Sequence, residues 1–205
     1  MSEAVADKTT NKPKLSRSTA WIYGSVSLPL AIIGYPLSVW IPRLYSTEVG
    51  LSLSLIGLVI FSAAIFDAVT DPLMGFLSDR FQTRWGRRRP WLLVGVPIYA
   101  VAVWMLLNPS PGATVYYLGF YYLLLRASTT IFGLPYAAWG MELSADYHTR
   151  TMIQSAREKY VMIGLMMASG IVLLSEELWH DNSASFVLSN FSWVIVTLLP
   201  VTAML

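Results

Sequence analysis

The sequence predicts an all-α integral membrane protein with six spanning helices. Of its 205 residues, 55% are hydrophobic and only 13% carry charge, and the mean hydropathy is +0.55. A soluble domain normally carries about 25% charged residues, so this deficit indicates lipid as the surrounding solvent. None of the apolar stretches alternates with a period of two over ten residues, which argues against a membrane β-barrel.

Six apolar stretches approach the roughly 20 residues that a spanning helix needs. They run over residues 21–44, 51–77, 91–107, 115–141, 160–178 and 186–205. Pro29 and Pro36 interrupt the first of them, because proline cannot donate the helical hydrogen bond. The sixth reaches the last residue with no polar exit, so we expect a chain truncated in the sixth helix, or one half of a larger assembly.

The ends and loops carry the charge. Residues 1–18 are polar and lack the apolar core of a secretory signal, so they are predicted to be a disordered tail before a helical domain at 19–205. Twelve of the fourteen basic residues fall in this tail and in the loops after the second and fourth stretches. The positive-inside rule then places the N-terminus and both loops in the cytoplasm.

The net charge is only +2 and there is no cysteine, so neither nucleic-acid binding nor a cysteine-based metal site is expected.

Two acids lie deep in the second stretch. Asp67 is 12 residues before Asp79 at the predicted membrane edge, a distance of about 18 Å along a helix. Asp71 follows four residues later, on the same helix face. Each charge costs about 2.5–3.5 kcal/mol at mid-membrane on insertion scales, and Pro72 frees the carbonyl of Ala68 beside them. Two carboxylates so close favour a bound cation, either a proton or Na⁺.

Arg126 is the other charge predicted within the membrane. It either pairs with Asp67 or Asp71, or binds an anionic substrate. The alternative, purely structural interpretation of the acids is a salt bridge that holds helices together.

Three aromatic residues could stack on a sugar ring, although such residues more often pack in the protein or line the membrane interface; they are Tyr35, Tyr136 and Trp139. The two histidines are too isolated to predict a metal site.

The second stretch and the loop after it contain a distinctive motif. The segment "DAVTDPLMGFLSDRFQTRWGRRRPWLLVG" is supported by "YSTEVGLSLSLIG", "GLPYAAWGMELSADYHTRT" and "SAR". Together they resemble the glycoside–pentoside–hexuronide:cation symporter family, the melibiose permease-like branch of the major facilitator superfamily. The resemblance covers nearly the whole chain. It implies the N-terminal six-helix half of a twelve-helix transporter, with the C-terminal half missing.

The resemblance also implies roles for individual residues. Asp67, Thr70, Asp71 and Thr130 match cation-site positions, although Thr70 stands where melibiose transporters have Asn. Arg157 matches an arginine at the start of the fifth helix and is predicted, with Tyr35, Arg126, Tyr136 and Trp139, to bind substrate. Ala31 and Gly133 stand where melibiose transporters have sugar-binding aspartates, so a galactoside site is not retained. The loop matches a cytoplasmic latch of salt bridges that would hold the outward-open state. The latch residues are Gly75, Asp79, Arg80, Gly86, Arg87, Arg88 and Arg89.

The leading hypothesis is therefore cation-coupled transport of a sugar or glycoside, with H⁺ or Na⁺ as coupling ion, no cofactor and no enzymatic activity. The expected location is the bilayer of a bacterial inner membrane. One alternative is an uncoupled facilitator in which Arg126 neutralises the acids. Another is a non-transporting, truncated membrane protein or sensor. An intramembrane aspartyl protease fits poorly, because its acids should come from different helices.

Overall fold

The computed structural model describes residues 16–81, 84, 86–144, 146–179 and 183–204, and long helices dominate these ranges. In chain order they are α1 (Arg17–Ser25), α2 (Ser27–Tyr35), a π-helix (Pro36–Trp40), α3 (Ile41–Thr47), α4 (Leu53–Arg80), α5 (Arg89–Leu107), α6 (Val115–Glu142), α7 (Tyr147–Trp179) and α8 (Ala184–Met204). The first four form one continuous span, so the described chain has six long helical spans. The predicted all-α membrane fold is confirmed.

Five of the spans are long and apolar enough to cross a membrane by length and composition. They are Arg17–Thr47, Leu53–Arg80, Arg89–Leu107, Tyr147–Ser175 and Ala184–Ala203. The remaining span, α6, has 28 residues. Its tyrosines and the polar run at 126–130 lower its hydropathy, and that same run faces the candidate site described below. Residues 1–15 of the predicted tail lie outside the described residues, and α1 begins at Arg17.

Proline and capping residues explain where the elements begin and end. The π-helix starts at Pro36, which confirms the predicted interruption there. The other break lies at Val26, between α1 and α2, where Pro29 lacks the amide that would bond the carbonyl four residues earlier. Ser52 and Thr114 accept backbone N–H groups at the start of α4 and α6, as N-cap residues do.

The helices pack so that α6 lies against both α4 and α5, and α5 also contacts α8. The first span lies mainly against α7. Gly95 permits the closest approach of α5 to α6, because a Cβ built there would lie 2.7 Å from the Cβ of Phe132. This packing brings the polar run of α6 against the acidic face of α4.

Candidate functional site

Two pairs of side chains join α4 to α6 with the same offset of 59 residues. Asp67 of α4 meets Arg126 of α6, and Asp71, one turn further along, meets Thr130. The two site residues on each helix are four positions apart, so they lie on the same face of that helix. The two helices are therefore aligned in parallel register across the site.

The ion pair between Asp67 and Arg126 is asymmetric. Arg126 donates from Nε to Oδ2 of Asp67 at 2.7 Å, and its Nη2 contacts the same oxygen. The other oxygen, Oδ1, is buried and has no hydrogen-bond partner among the described residues. Asp67 itself is only 8% exposed. A buried acceptor without a partner is costly, so the carboxylate keeps an unused site for a donor or a cation.

Asp71 occupies a more open position. Its side chain is exposed, and Oδ1 accepts a hydrogen bond from Thr130 Oγ1 at 2.8 Å. The structure thus brings three of the four predicted cation-site residues together with Arg126. The fourth, Thr70, lies between the acids in sequence but donates its hydroxyl to the Phe66 carbonyl of its own helix at 2.9 Å.

A small cavity of about 160 Å³ opens beside these pairs. Its lining residues are Asp71, Arg126, Thr129, Thr130, Gly133 and Leu134. At roughly 30 Å³ per water molecule, it has room for a few waters, an ion or one functional group. Drug-sized ligands occupy sites of about 300–1,000 Å³, so this cavity is too small to enclose a whole glycoside. Its volume fits a small ion rather than a whole substrate molecule.

The predicted substrate residues fall in a second cluster. Tyr136 is 2% exposed and stacks on Tyr23, with 4.6 Å between the ring centroids. The hydroxyls of these two tyrosines each donate to the other residue's carbonyl, at 2.7 and 2.6 Å. Trp139 meets Tyr23 edge-on, and the Arg157 guanidinium lies 5.4 Å from the Tyr136 ring centroid. In this conformation the two stacked rings cover each other, and Tyr136 has no exposed face for a sugar.

The rest of the predicted substrate set lies near this cluster or apart from it. Arg157 donates from Nη1 to Gln154 at 2.9 Å, and its buried Nε has no hydrogen-bond partner in the described part of the chain. Tyr35 ends α2 and is half-buried against the hydrophobic core. The predicted substrate residues therefore lie in more than one environment, and their substrate role stays a prediction. They are Tyr35, Arg126, Tyr136, Trp139 and Arg157.

The predicted latch centres on Arg88. Its guanidinium is 6% exposed and lies between Asp79 of α4, at 2.7 Å, and Glu142 of α6, at 2.6 Å. Nη1 also donates to Ser78 at 2.9 Å. Burial alone would lower the pKa of Arg88, but the hydrogen bonds to Glu142 and Asp79 outweigh it and raise that pKa. The cation is therefore retained at every physiological pH.

Other latch residues contribute differently. Arg87 also contacts Glu142, and Arg80 lies 5.4 Å from the ring centroid of Phe76. Gly86 has a φ of +97°, a conformation that side-chain-bearing residues rarely adopt. Arg89 begins α5, and Gly75 lies within α4.

No role for Glu142 was predicted from the sequence. Glu142 was visible as the one acid that ends α6, and α6 ends at the same side of the predicted membrane as the arginine loop. Its two arginine partners make it the acidic centre of the latch. Ser78, one residue before Asp79, was also missed.

The described spans, the intramembrane ion pair and the charged loop define the class of protein: an integral membrane protein with a polar site between two of its helices. Residues 22–205 match the sequence profile described as MFS/sugar transport protein. The chain therefore belongs to this family of the major facilitator superfamily. Its members are transport proteins rather than enzymes.

Several curated relatives have similar sequences. An uncharacterized symporter of Synechocystis, sll1374, is 32% identical over 171 residues, which cover 78% of this chain and 31% of that protein. The putative glycoside/cation symporter YagG of Escherichia coli is 37% identical over 132 residues, covering 63% and 29%. The sodium-dependent lysophosphatidylcholine symporter 1-B of Danio rerio is 28% identical over 169 residues, covering 80% and 32%. The chain thus spans about a third of the length of each relative.

Proposed function

We propose that this chain forms the N-terminal half of a symporter that couples a cation to the transport of a sugar or glycoside by alternating access. The family match and the relative named as a glycoside/cation symporter support this proposal. Substrates in such folds bind near the membrane midplane between two halves. A partner half supplied by the same or another chain would complete the binding site.

The coupling ion, H⁺ or Na⁺, binds at Asp67 and Asp71, with Thr130 and Thr70 as neighbours. The observation that carries this assignment is the pair of acids on one face of α4, each held by a residue of α6 beside a cavity. With Arg126 counted, the site has a net charge of −1, which a monovalent cation neutralises. Removing a net charge from the membrane interior lowers the cost of the conformational change.

The latch would then lie on the cytoplasmic side, with the N-terminus, as the positive-inside rule indicates. A relative from Escherichia coli is named as an inner membrane symporter, and we propose the same location for this protein. Arg88, Asp79 and Glu142 would stabilise the arrangement of helices that is closed to the cytoplasm.

The test is uptake of a radiolabelled glycoside into proteoliposomes that contain the full-length gene product. Wild-type protein should accumulate the glycoside when a Na⁺ or H⁺ gradient is imposed, and Asp71→Asn should abolish the accumulation. Asp146→Asn is the matched control, because it removes an exposed carboxylate that caps α7 by accepting hydrogen bonds from Thr149 and lies outside the site. Unchanged gradient-driven uptake in Asp71→Asn would refute the assignment of the site.

The second candidate function is uncoupled facilitated diffusion, and the Arg126–Asp67 pair favours it. A fixed guanidinium can replace the coupling cation. In that case uptake would equilibrate but never exceed the external concentration, and ionophores that collapse the Na⁺ or H⁺ gradient would have no effect.

A further inference from the structure

A second and larger cavity, the distal cavity, lies at the end of the helices opposite the latch. It is formed where α3 and α5 end and α8 begins, together with the loop at residues 108–112. Its volume of about 610 Å³ lies within the range of about 300–1,000 Å³ that is usual for small-molecule sites. The loop leads into α6 at Thr114, which is 12 residues before Arg126, or about 18 Å along the helix. The distal cavity is therefore separate from the ion site.

Glu48 gives the distal cavity its charge. It is the one charged side chain among the described residues that line the cavity. Its Oε1 accepts a hydrogen bond from the Ser185 N–H at 3.1 Å, and its Oε2 accepts none from the described part of the chain. Hydrogen bonds to an ionised acceptor are about twice as strong as neutral ones. The cavity thus offers a strong acceptor to a ligand that donates hydrogen bonds, and it repels anions.

Asn108 supplies a second acceptor in a fixed orientation. Its Nδ2 donates to the Trp104 carbonyl at 3.0 Å and to Ser192 Oγ at 2.8 Å. A side-chain amide has two N–H donors, so both are used within the protein. The part of the amide that remains for a ligand is the carbonyl oxygen. Because the two internal bonds already hold this side chain, binding would cost little of its conformational freedom.

The rest of the lining combines hydroxyl groups with apolar surface. Ser110, Ser185 and Ser189 line the cavity, and each hydroxyl can donate and accept. The apolar part comes from residues such as Leu44 and Phe186, and from two prolines of the loop. Apolar walls with a few fixed polar groups are typical of small-molecule sites. The complementary ligand therefore donates several hydrogen bonds, has an apolar face and carries no negative charge.

We propose that the distal cavity is a binding site for an uncharged saccharide. A sugar ring has hydroxyl groups that can donate to Glu48 and Asn108, and C–H faces that can lie on the apolar wall. An organic ammonium ion would satisfy Glu48 with one group but would leave the Asn108 carbonyl without a donor. This site lies apart from the candidate ion site and does not rest on the proposed function, because it requires neither a coupling ion nor transport.

The test is protection of a thiol placed in the distal cavity. The chain contains no cysteine, so Ser189→Cys gives it a single thiol there. The full-length gene product is purified in detergent and labelled with a fluorescent maleimide, and the unsubstituted protein supplies the background. Methyl β-D-glucopyranoside or methyl β-D-galactopyranoside should slow the labelling in a saturable way. Tyr116→Cys is the control, because that side chain is 84% exposed and is not part of the lining.

Two further variants assign the protection to the cavity. Glu48→Gln, combined with Ser189→Cys, should raise the half-protecting concentration about tenfold, because a charge-assisted hydrogen bond is replaced by a neutral one. The glutamine carbonyl can still accept the Ser185 N–H, so the start of α8 keeps this contact. Ser110→Trp, in the exposed loop, fills the cavity with an indole ring and should abolish the protection.

Three results would overturn the proposal. The first is labelling of Ser189→Cys that neither glycoside slows. The second is equal protection of Tyr116→Cys, which would show an effect outside the cavity. The third is protection by choline but by neither glycoside, which would identify a cation site instead. Labelling needs no ion gradient, so protection by a glycoside supports the site even if gradient-driven uptake fails, and uptake can succeed where protection fails.

Discussion

Arg88 donates from Nη2 to Oε1 of Glu142 at 2.6 Å, joining two residues 54 positions apart in the chain. The same guanidinium also contacts Asp79, at the end of α4. One buried cation, in the loop that precedes α5, therefore binds the ends of both α4 and α6. The Arg88 side chain thus bridges the two helices that carry the candidate ion site at this end.

Replacing Arg88 should destabilise the chain more than replacing its neighbour. Arg88→Ala removes hydrogen bonds to three residues and leaves two carboxylates without their main partner. Hydrogen bonds to charged groups contribute about 1.5–3 kcal/mol each when buried, and the partial exposure of Asp79 and Glu142 reduces the total to about 1–3 kcal/mol. Thermal unfolding in detergent, followed by circular dichroism, measures the change.

Arg87→Ala is the matched control, because Arg87 binds the same Glu142 from a side chain that is 37% exposed. Exposed ion pairs contribute only about 0–1 kcal/mol. Equal losses of stability in the two variants would contradict the central role of Arg88.

Thr130→Val should weaken binding of the coupling cation. The threonine hydroxyl donates to Asp71 Oδ1 at 2.8 Å and holds that carboxylate at the cavity. Loss of a hydrogen bond to a charged group, about 1.5–3 kcal/mol, corresponds to roughly a tenfold or greater loss of affinity. Titration of tryptophan fluorescence with Na⁺, or with protons, in the full-length gene product gives the affinity.

The adjacent Thr129→Val provides the comparison. Thr129 lines the same cavity, yet its hydroxyl donates to the Leu125 carbonyl of its own helix. Its loss should change the affinity less than about twofold, an effect below 0.5 kcal/mol. A larger effect for Thr129 than for Thr130 would show that the cation binds elsewhere in the cavity.

Tyr136→Phe should loosen the contact between the first span and α6. The hydroxyl donates to the Tyr23 carbonyl at 2.7 Å and lies 3.0 Å from Ser27 Oγ, and loss of such neutral hydrogen bonds costs about 0.5–1.5 kcal/mol each. The unfolding temperature should fall accordingly. Tyr116→Phe, at a side chain that is 84% exposed, should leave it unchanged. A similar shift in both variants would mean that the buried hydroxyl contributes nothing specific.

Gly95→Ala should separate α5 from α6. The added methyl group would lie 2.7 Å from the Cβ of Phe132, and overpacking of this kind costs about 1–3 kcal/mol. Gly170→Ala is the control, since nothing lies within 4 Å of its added Cβ and alanine favours helix by about 1 kcal/mol. The unfolding temperature should therefore fall in Gly95→Ala and rise in Gly170→Ala. An unchanged unfolding temperature in Gly95→Ala would show that α5 and α6 can move apart at no cost.

The sequence predicted the six spans because spanning helices are set by apolar runs of sufficient length. It did not predict that α7 begins at Tyr147, 13 residues before the apolar stretch, so that Arg150 and Arg157 of the predicted loop lie within the helix. Its periodicity also put Asp67 and Asp71 on one face, and depth along the helix placed Arg126 near them. Which acid Arg126 would choose remained open, because that choice depends on the register between α4 and α6. Register is fixed by side-chain packing between the two helices, which periodicity within one helix does not report.

Contacts distant in sequence were the least predictable. Tyr136 and Trp139 were predicted as possible stacking surfaces for a sugar ring, and in this conformation Tyr136 is covered by Tyr23, a residue 113 positions away. The role of Glu142 was not predicted, because nothing in its local sequence identifies Arg87 and Arg88 as partners. The Asp71–Thr130 pair was expected from a family resemblance alone.

The π-helix at Pro36–Trp40 gives the first span a change of phase. A π turn contains one residue more than an α turn, and one residue corresponds to about 100° of rotation in an α-helix. The N-terminal part of the span, α1 and α2, lies mainly against α7, whereas α3 after the π turn contacts α4 and α8. Moving the extra residue along the helix would rotate only the turns between its old and new positions, by about 100°, so that those turns present different side chains to their neighbours while α3 keeps its contacts.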